Sequence, residues 1–239
     1  MYAALFDFRA PCSQTKILIF QGTLNTKHFA AKKSGDIIVR KKINIISTIS
    51  IIHLTILCGI ALSHPHVFVT QKIKIVFDDQ GLAGFNIHWT FDDMFTSMIA
   101  GDYDKNQNEV LEKSEVILIK KEAFSYLSNS NYFTFVKVDK KAFDIKFIQN
   151  FSAKLHDRKL VYKFFIPCHV TATSTFKHIT IASYDPSYYS AIFFANKSPV
   201  SLDNSESFKV RTAIKKDKSA SIYYGQVNPW ALFLDFRTK

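Results

Sequence analysis

The sequence predicts an α+β fold: a mainly antiparallel β-sheet or sandwich domain with one helical insertion carrying an EF-hand-like loop. Three observations carry this expectation. Residues 66–77 and 82–91 alternate apolar and polar side chains with period two around the turn-forming Asp78-Asp79-Gln80-Gly81. Strand-like alternation returns after Asn131 in short runs separated by polar breaks. Between them, residues 92–128 show helical periodicity on both sides of an acidic loop.

The 239 residues are enough for one sizeable domain, and the first 63 read as separate from it. Residues 43–62 carry no charge, follow Arg40-Lys41-Lys42 and end at Ala61-Leu62-Ser63. A basic region, an apolar run and small residues before a cut describe a secretory signal, with cleavage before His64. A run this long also reaches across a bilayer, so a retained inner-membrane anchor is the alternative. Leu57 is too bulky for lipid attachment at Cys58, and no lipid anchor is expected. Residues 1–38 have no periodicity and no internal methionine, and read as a doubtful leader ahead of a signal peptide at 39–63. The mature domain is then 64–239, with its helical insert at 92–128.

Eight of the 31 basic residues and two of the 20 acidic ones fall in that leader, which removes about half of the +11 excess. The remaining charges are scattered rather than striped, so no nucleic-acid partner is expected. Of the three cysteines only Cys168 belongs to the mature segment, which excludes an internal disulfide there.

Taken in order, the first hairpin turns Val67, Val69, Ile73, Ile75 and Phe77 inward and Thr70, Lys72 and Lys74 outward. Its second strand turns Phe85, Ile87, Trp89 and Phe91 inward, with His88 and Asp92 on the polar face. Pairing the apolar faces sets Lys72 across from His88 and His66 across from Met94, diagonal to Asp92, and leaves a three-residue loop ending at Gly81. A short helix follows at about 92–100 with Phe91, Phe95 and Met98 on one side. A longer one is expected at about 113–127, with Val116, Ile119, Ala123, Tyr126 and Leu127 as its apolar face. Strands are then expected at 132–138, about 142–152, 159–166, 176–184 and 189–195, with a weaker one near 207–213.

The acidic loop carries the sharpest chemistry. Asp104, Asn106, Asn108, Val110, Glu112 and Glu115 occupy the first, third, fifth, seventh, ninth and twelfth places of a twelve-residue run. Such spacing wraps oxygen ligands around a hard cation such as Ca2+, with the Val110 main-chain carbonyl contributing and Glu115 closing the loop. Leu111 anchors it to the domain. Glycine normally holds the sixth place, for a positive φ, and here Glu109 stands there. The plainer alternative is a polar loop capping the next helix, with Ser114 or Asn108 as N-cap.

A second constellation lies at the expected new N-terminus. His64 and His66 with a free α-amine offer nitrogen ligands for Zn2+, Ni2+ or Co2+. Pro65 lacks an N–H, which excludes square-planar chelation through main-chain amides. Asp92 is a candidate further ligand or partner, and His88 joins only if the sheet curls. The alternative makes His64 and His66 free terminal residues and His88 a hydrogen-bonded strand residue. His156, His169 and His178 are scattered and read as structural.

Several islands are together similar to one bacterial family. They are His64-Pro65-His66, Phe77-Asp78-Asp79-Gln80-Gly81, Trp89-Thr90-Phe91-Asp92-Asp93-Met94-Phe95, the loop to Glu115, Tyr132-Phe133-Thr134 and Tyr184-Asp185-Pro186-Ser187-Tyr188-Tyr189. They resemble a family of unknown function whose members are labelled periplasmic components of uncharacterised ABC-type transport systems. The resemblance implies an exported periplasmic protein linked to nickel, cobalt or zinc transport, with an inner-membrane metal permease or ABC-type transporter as partner. Glu109 departs from the glycine common in that family, and the tail from about Ser205 departs from its pattern.

No Gly-rich phosphate loop, nucleophile elbow or paired glycosidase-like carboxylates occur, so the expected role is a non-catalytic accessory to transition-metal transport. A calcium-stabilised interaction or structural module of the cell envelope is the alternative. A copper enzyme built on an N-terminal histidine brace ranks last.

Overall fold

The computed structural model describes residues 65–239; the leader, the signal segment and His64 lie outside the described residues. The chain divides into two units, Met1–Ser63 and His64–Lys239.

The first hairpin forms from β1 (Val67–Asp78) and β2 (Gly81–Phe91). Every expected inward residue is buried, and Lys72 pairs with His88 as the alternation requires. The turn differs. A bulge between Val76 and Phe77 shifts the register so that Asp78 pairs with Gly81, which leaves a two-residue loop instead of three. Asp78 explains the tightening: its Oδ1 accepts from the Gln80 and Gly81 amides at 2.9 and 3.0 Å. Gly81 has φ +150°, and a Cβ there would overlap the Val170 carbonyl of the neighbouring strand.

Helix α1 (Asp93–Tyr103) starts where expected and runs three residues further. It buries Thr96 and Ile99, while Met98 of the expected apolar side is exposed. The reason is a polar anchor: Thr96 Oγ1 accepts the Leu160 amide at 3.0 Å and fixes which face meets the sheet. Helix α2 (Lys113–Ile119) is followed by a π turn (Lys120–Phe124) and a 3-10 stretch (Ser125–Phe133) in place of one longer helix. Ile119 and Phe124 are both buried. Residues five apart diverge on an α-helix, and the wider π turn swings both toward the core. Val116, Ala123 and Leu127 pack partly against the core as expected, whereas Tyr126 is exposed.

The remaining strands are β3 (Thr134–Val138), β4 (Lys141–Phe143), β5 (Gln149–His156), β6 (Lys159–Thr171), β7 (Lys177–Ser183), β8 (Ser190–Phe194), β9 (Val200–Asp203), β10 (Phe208–Lys216) and β11 (Trp230–Thr238). The run expected at about 142–152 is two strands, β4 and β5, which belong to different sheets. One sheet has the order β5-β6-β2-β1-β8, with β9 also pairing β1; the other has the order β10-β11-β7-β3-β4. Both β8 and β9 run parallel to β1, and the other pairings are antiparallel. The molecule is therefore β-rich with few helices.

The sheets share one core. Phe77 of the first stacks on Phe208 of the second at 5.0 Å and meets Phe236 edge-on at 5.4 Å. Such aromatic pairs contribute about 1 kcal/mol each beyond their buried area. Trp89 packs edge-on against Phe164 at 5.0 Å, and its Nε1 donates to Gln71 Oε1 at 2.9 Å. The second sheet depends on the tail. β11 lies between β10 and β7, and its Leu232, Leu234 and Phe236 are fully buried. The tail from about Ser205, expected to depart from the family pattern, is thus an integral part of this fold. Its strand signal is an alternation of these three residues with Phe233, Asp235 and Arg237.

Candidate functional site

The loop between α1 and α2 is laced by its own oxygens. Asp104 ends α1 and is buried; its Oδ1 accepts the Asn108 amide at 3.2 Å and its Oδ2 the Glu109 amide at 2.9 Å. Asn106 Oδ1 accepts from the Asn108 amide at 3.1 Å, and Asn108 Oδ1 from the Val110 amide at 2.8 Å. Glu115, also buried, ties the ends together: Oε1 accepts the Lys105 amide at 3.0 Å and Oε2 the Glu112 amide at 2.9 Å.

Glu112, not Ser114 or Asn108, is the N-cap of α2, and with Glu115 it forms a reciprocal capping box. Its exposed carboxylate accepts from the Asn108 and Asn106 side-chain amides at 2.8 and 3.1 Å. Hydrogen bonding with Glu115 first, then with these two amides, holds the Glu112 carboxyl at about 2. Glu109 takes the positive φ expected of the sixth place, at 60°, without being glycine, and Leu111 is buried as the expected anchor. Glu109 also lines an open cleft of about 380 Å3 with Thr96, Ser97, Ala100, Leu155, Asp157 and Arg158.

Among the described residues, no group of three or more His, Cys, Asp or Glu side chains is drawn close enough to hold a metal ion. The ligand set expected for the loop is broader than that, since it includes Asn106, Asn108 and the Val110 carbonyl.

The second constellation is only partly assembled. β2 stops at Phe91, so the expected position of Met94 across from His66 does not form; Met94 is an exposed residue of α1. Asp92 is occupied. Its Oδ1 accepts the Phe95 amide at 2.9 Å as N-cap of α1, and its Oδ2 accepts the Phe68 amide at 2.5 Å. Its own amide donates to the Phe68 carbonyl at 3.0 Å. His66 instead meets the entry to β8: its amide donates to the Tyr189 carbonyl at 2.8 Å, and the two rings lie 5.0 Å apart. His64 lies outside the described residues.

His88 stands apart, paired with Lys72 on one side and Lys163 on the other. Lys72 is six residues from His66 along β1, roughly 20 Å of extended chain. Burial first, then Lys163, Lys72 and His156, keep the His88 imidazole below its ordinary range. The two lysines repel a metal cation as they repel the imidazolium proton, so His88 does not join His66.

Two further buried carboxylates lie outside both constellations. Asp185, within the Tyr184–Tyr189 island, accepts from Ser187 and Ser190, and Asp217 accepts the Ser219 amide and hydroxyl. Both are turn locks, visible in sequence as Asp followed two residues later by Ser. Gln71, in the inward row of β1, is legible only as a break in the apolar alternation.

The model of a protein family of unknown function, DUF1007, matches residues 49–226. Among curated proteins, the chain is similar to an uncharacterised 15.5 kDa protein of Spirochaeta aurantia from the trpE 3′ region. The two are 27% identical over 133 residues, 56% of this chain and 94% of that protein. It is also similar to an uncharacterised protein of Haemophilus influenzae, at 26% identity over 142 residues, which cover 58% of this chain and 66% of the other.

Proposed function

This chain belongs to the DUF1007 family of proteins of unknown function, and we propose that it is an exported, non-catalytic metal-binding protein of the cell envelope. In this reading the EF-hand-like insertion takes Ca2+ in the Asp104–Glu115 loop and fixes α1 relative to α2. One observation carries it. Glu109 holds a positive φ of 60° without glycine, in a loop whose Asp104 and Glu115 carboxylates are buried and turned inward. A hard cation needs oxygens gathered from a short loop, and the buried Asp104 and Glu115 carboxylates at the two ends of this one support the reading. The cation would replace hydrogen bonds that now cross the loop.

A second reading makes the protein an accessory of a transition-metal (Ni, Co or Zn) transport system in the periplasm. It is supported by the resemblance in sequence and by His66, which is exposed at the start of β1. It no longer uses Asp92 or His88, and rests on His64, His66 and a free amine produced by cleavage.

Mass spectrometry of the exported protein, native and denatured, tests both. A native mass higher by one calcium, lost with Asp104→Asn/Glu115→Gln, supports the first reading. A bound transition metal on a chain beginning at His64 supports the second. A protein that gains neither calcium nor a transition metal under native conditions sinks the metal reading altogether.

A further inference from the structure

We propose that the outer face of the β10–β11 hairpin docks on a bilayer containing anionic phospholipid. Leu232, Leu234 and Phe236 point into the core, so Phe233, Asp235 and Arg237 point outward. The register sets Lys209 across from Arg237, Arg211 across from Asp235 and Ala213 across from Phe233, and Lys215 lies on the same face. Lys209, Arg211 and Lys215 are exposed and Arg237 is half-buried. The one acid of this face, Asp235, is engaged by His178 at 2.7 Å. Like charges directly opposite in a ladder are destabilising. The Lys209–Arg237 pair, although Arg237 also donates to the Thr238 carbonyl at 3.1 Å, therefore favours an anion bound from outside.

The form of that anion follows from the rings. Arg211 and Arg237 lie over Phe176 at 4.8 and 5.3 Å, and Lys215 lies over Phe233 at 4.3 Å. On the strand face itself Phe176 and Phe233 already carry cations, which leaves them poor stacking platforms for a base or a sugar. What remains is a flat array of charges laid down on the sheet, suited to a plane of phosphates. The connection between the two strands adds Tyr224, 96% exposed, an aromatic residue with a polar tip of the kind that settles at the headgroup level of a membrane.

The test is co-sedimentation of the full chain with phosphatidylcholine vesicles, with and without phosphatidylglycerol. The basic leader and the apolar segment 43–62 are common to every variant, so the comparison between the two lysine variants below cancels their contribution. The expected result is a preference for the anionic vesicles that weakens with salt. Lys209→Gln/Lys215→Gln should weaken that preference about fivefold for each charge removed. Lys72→Gln/Lys154→Gln, which removes the same charge from the first sheet, should leave it unchanged, with equal melting temperatures confirming that both variants fold. Equal binding to both vesicle types, equal loss in the two variants, or tighter binding to a single-stranded oligonucleotide than to the anionic vesicles would overturn the proposal.

Discussion

The Glu109 amide donates to the buried Asp104 Oδ2 at 2.9 Å while Glu109 itself sits at φ 60°. One residue thus holds a conformation suited to glycine because another, five positions earlier, captures its N–H. Glu109→Gly should remove the left-handed strain and stabilise the protein by about 0.5–1 kcal/mol, net of the greater freedom of the unfolded chain. Asp104→Ala should leave the Asn108 and Glu109 amides without that partner, at a cost of about 2 kcal/mol. Thermal melts with and without calcium check both; the proposed calcium site requires the Glu109→Gly gain to persist with calcium present and Asp104→Ala to abolish any calcium-induced rise in melting temperature.

Asp92 joins the start of α1 to β1 through Phe95 and Phe68. Asp92→Ala should therefore destabilise the fold by about 1–2 kcal/mol. It should leave any transition-metal affinity of the N-terminal histidines unchanged, as titration calorimetry can determine. A variant of wild-type stability that loses metal binding would return Asp92 to the ligand set.

Gly84 has φ +158°, and a Cβ there would overlap the Ile166 carbonyl of β6. Gly84→Ala should force the central β2–β6 pairing apart and cost more than about 2 kcal/mol. Urea unfolding measures it; a midpoint equal to that of the parent protein would show that the strands yield freely there.

The match to the family model stops at residue 226, before β11 begins at Trp230. Ending the chain at residue 226 should remove the strand that joins β10 to β7 and abolish cooperative unfolding. Leu234→Ala, a milder change at a fully buried position, should cost about 2–5 kcal/mol. Circular dichroism melts separate these outcomes from a tail that contributes nothing.

Burial pushes the Cys168 thiol up to about 12. The folded state therefore keeps its proton after an exposed thiol has lost one, so stability falls as pH rises from 9 toward 12. At neutral pH Cys168 should resist a thiol reagent in the native protein and react only on unfolding. Rapid native labelling would contradict the burial.

Much of the first hairpin was legible because one side chain in two meets a common core, and that alternation fixes both face and pairing. Lys72 opposite His88 followed from it directly. Its turn did not, because Asp78 closes the loop one residue tighter through hydrogen bonds that periodicity does not register. The loop positions Asp104 and Glu115 were legible from spacing alone, and their burial and inward bonds were not. The helix after the loop is shorter than its periodicity suggests for a comparable reason: a π turn that brings Ile119 and Phe124 inward is chosen by the core it meets.

By itself, then, the sequence determined the β-rich class, the first hairpin, several of the later strands and the family of unknown function, since these depend on local alternation and on the order of short motifs. Tertiary structure alone decided that Asp92 is a cap and clamp, that His66 meets Tyr189 and not Met94, that His88 sits between two lysines, and that β11 lies inside a sheet. Each of these is a contact between segments distant in the chain, settled by which strand pairs with which.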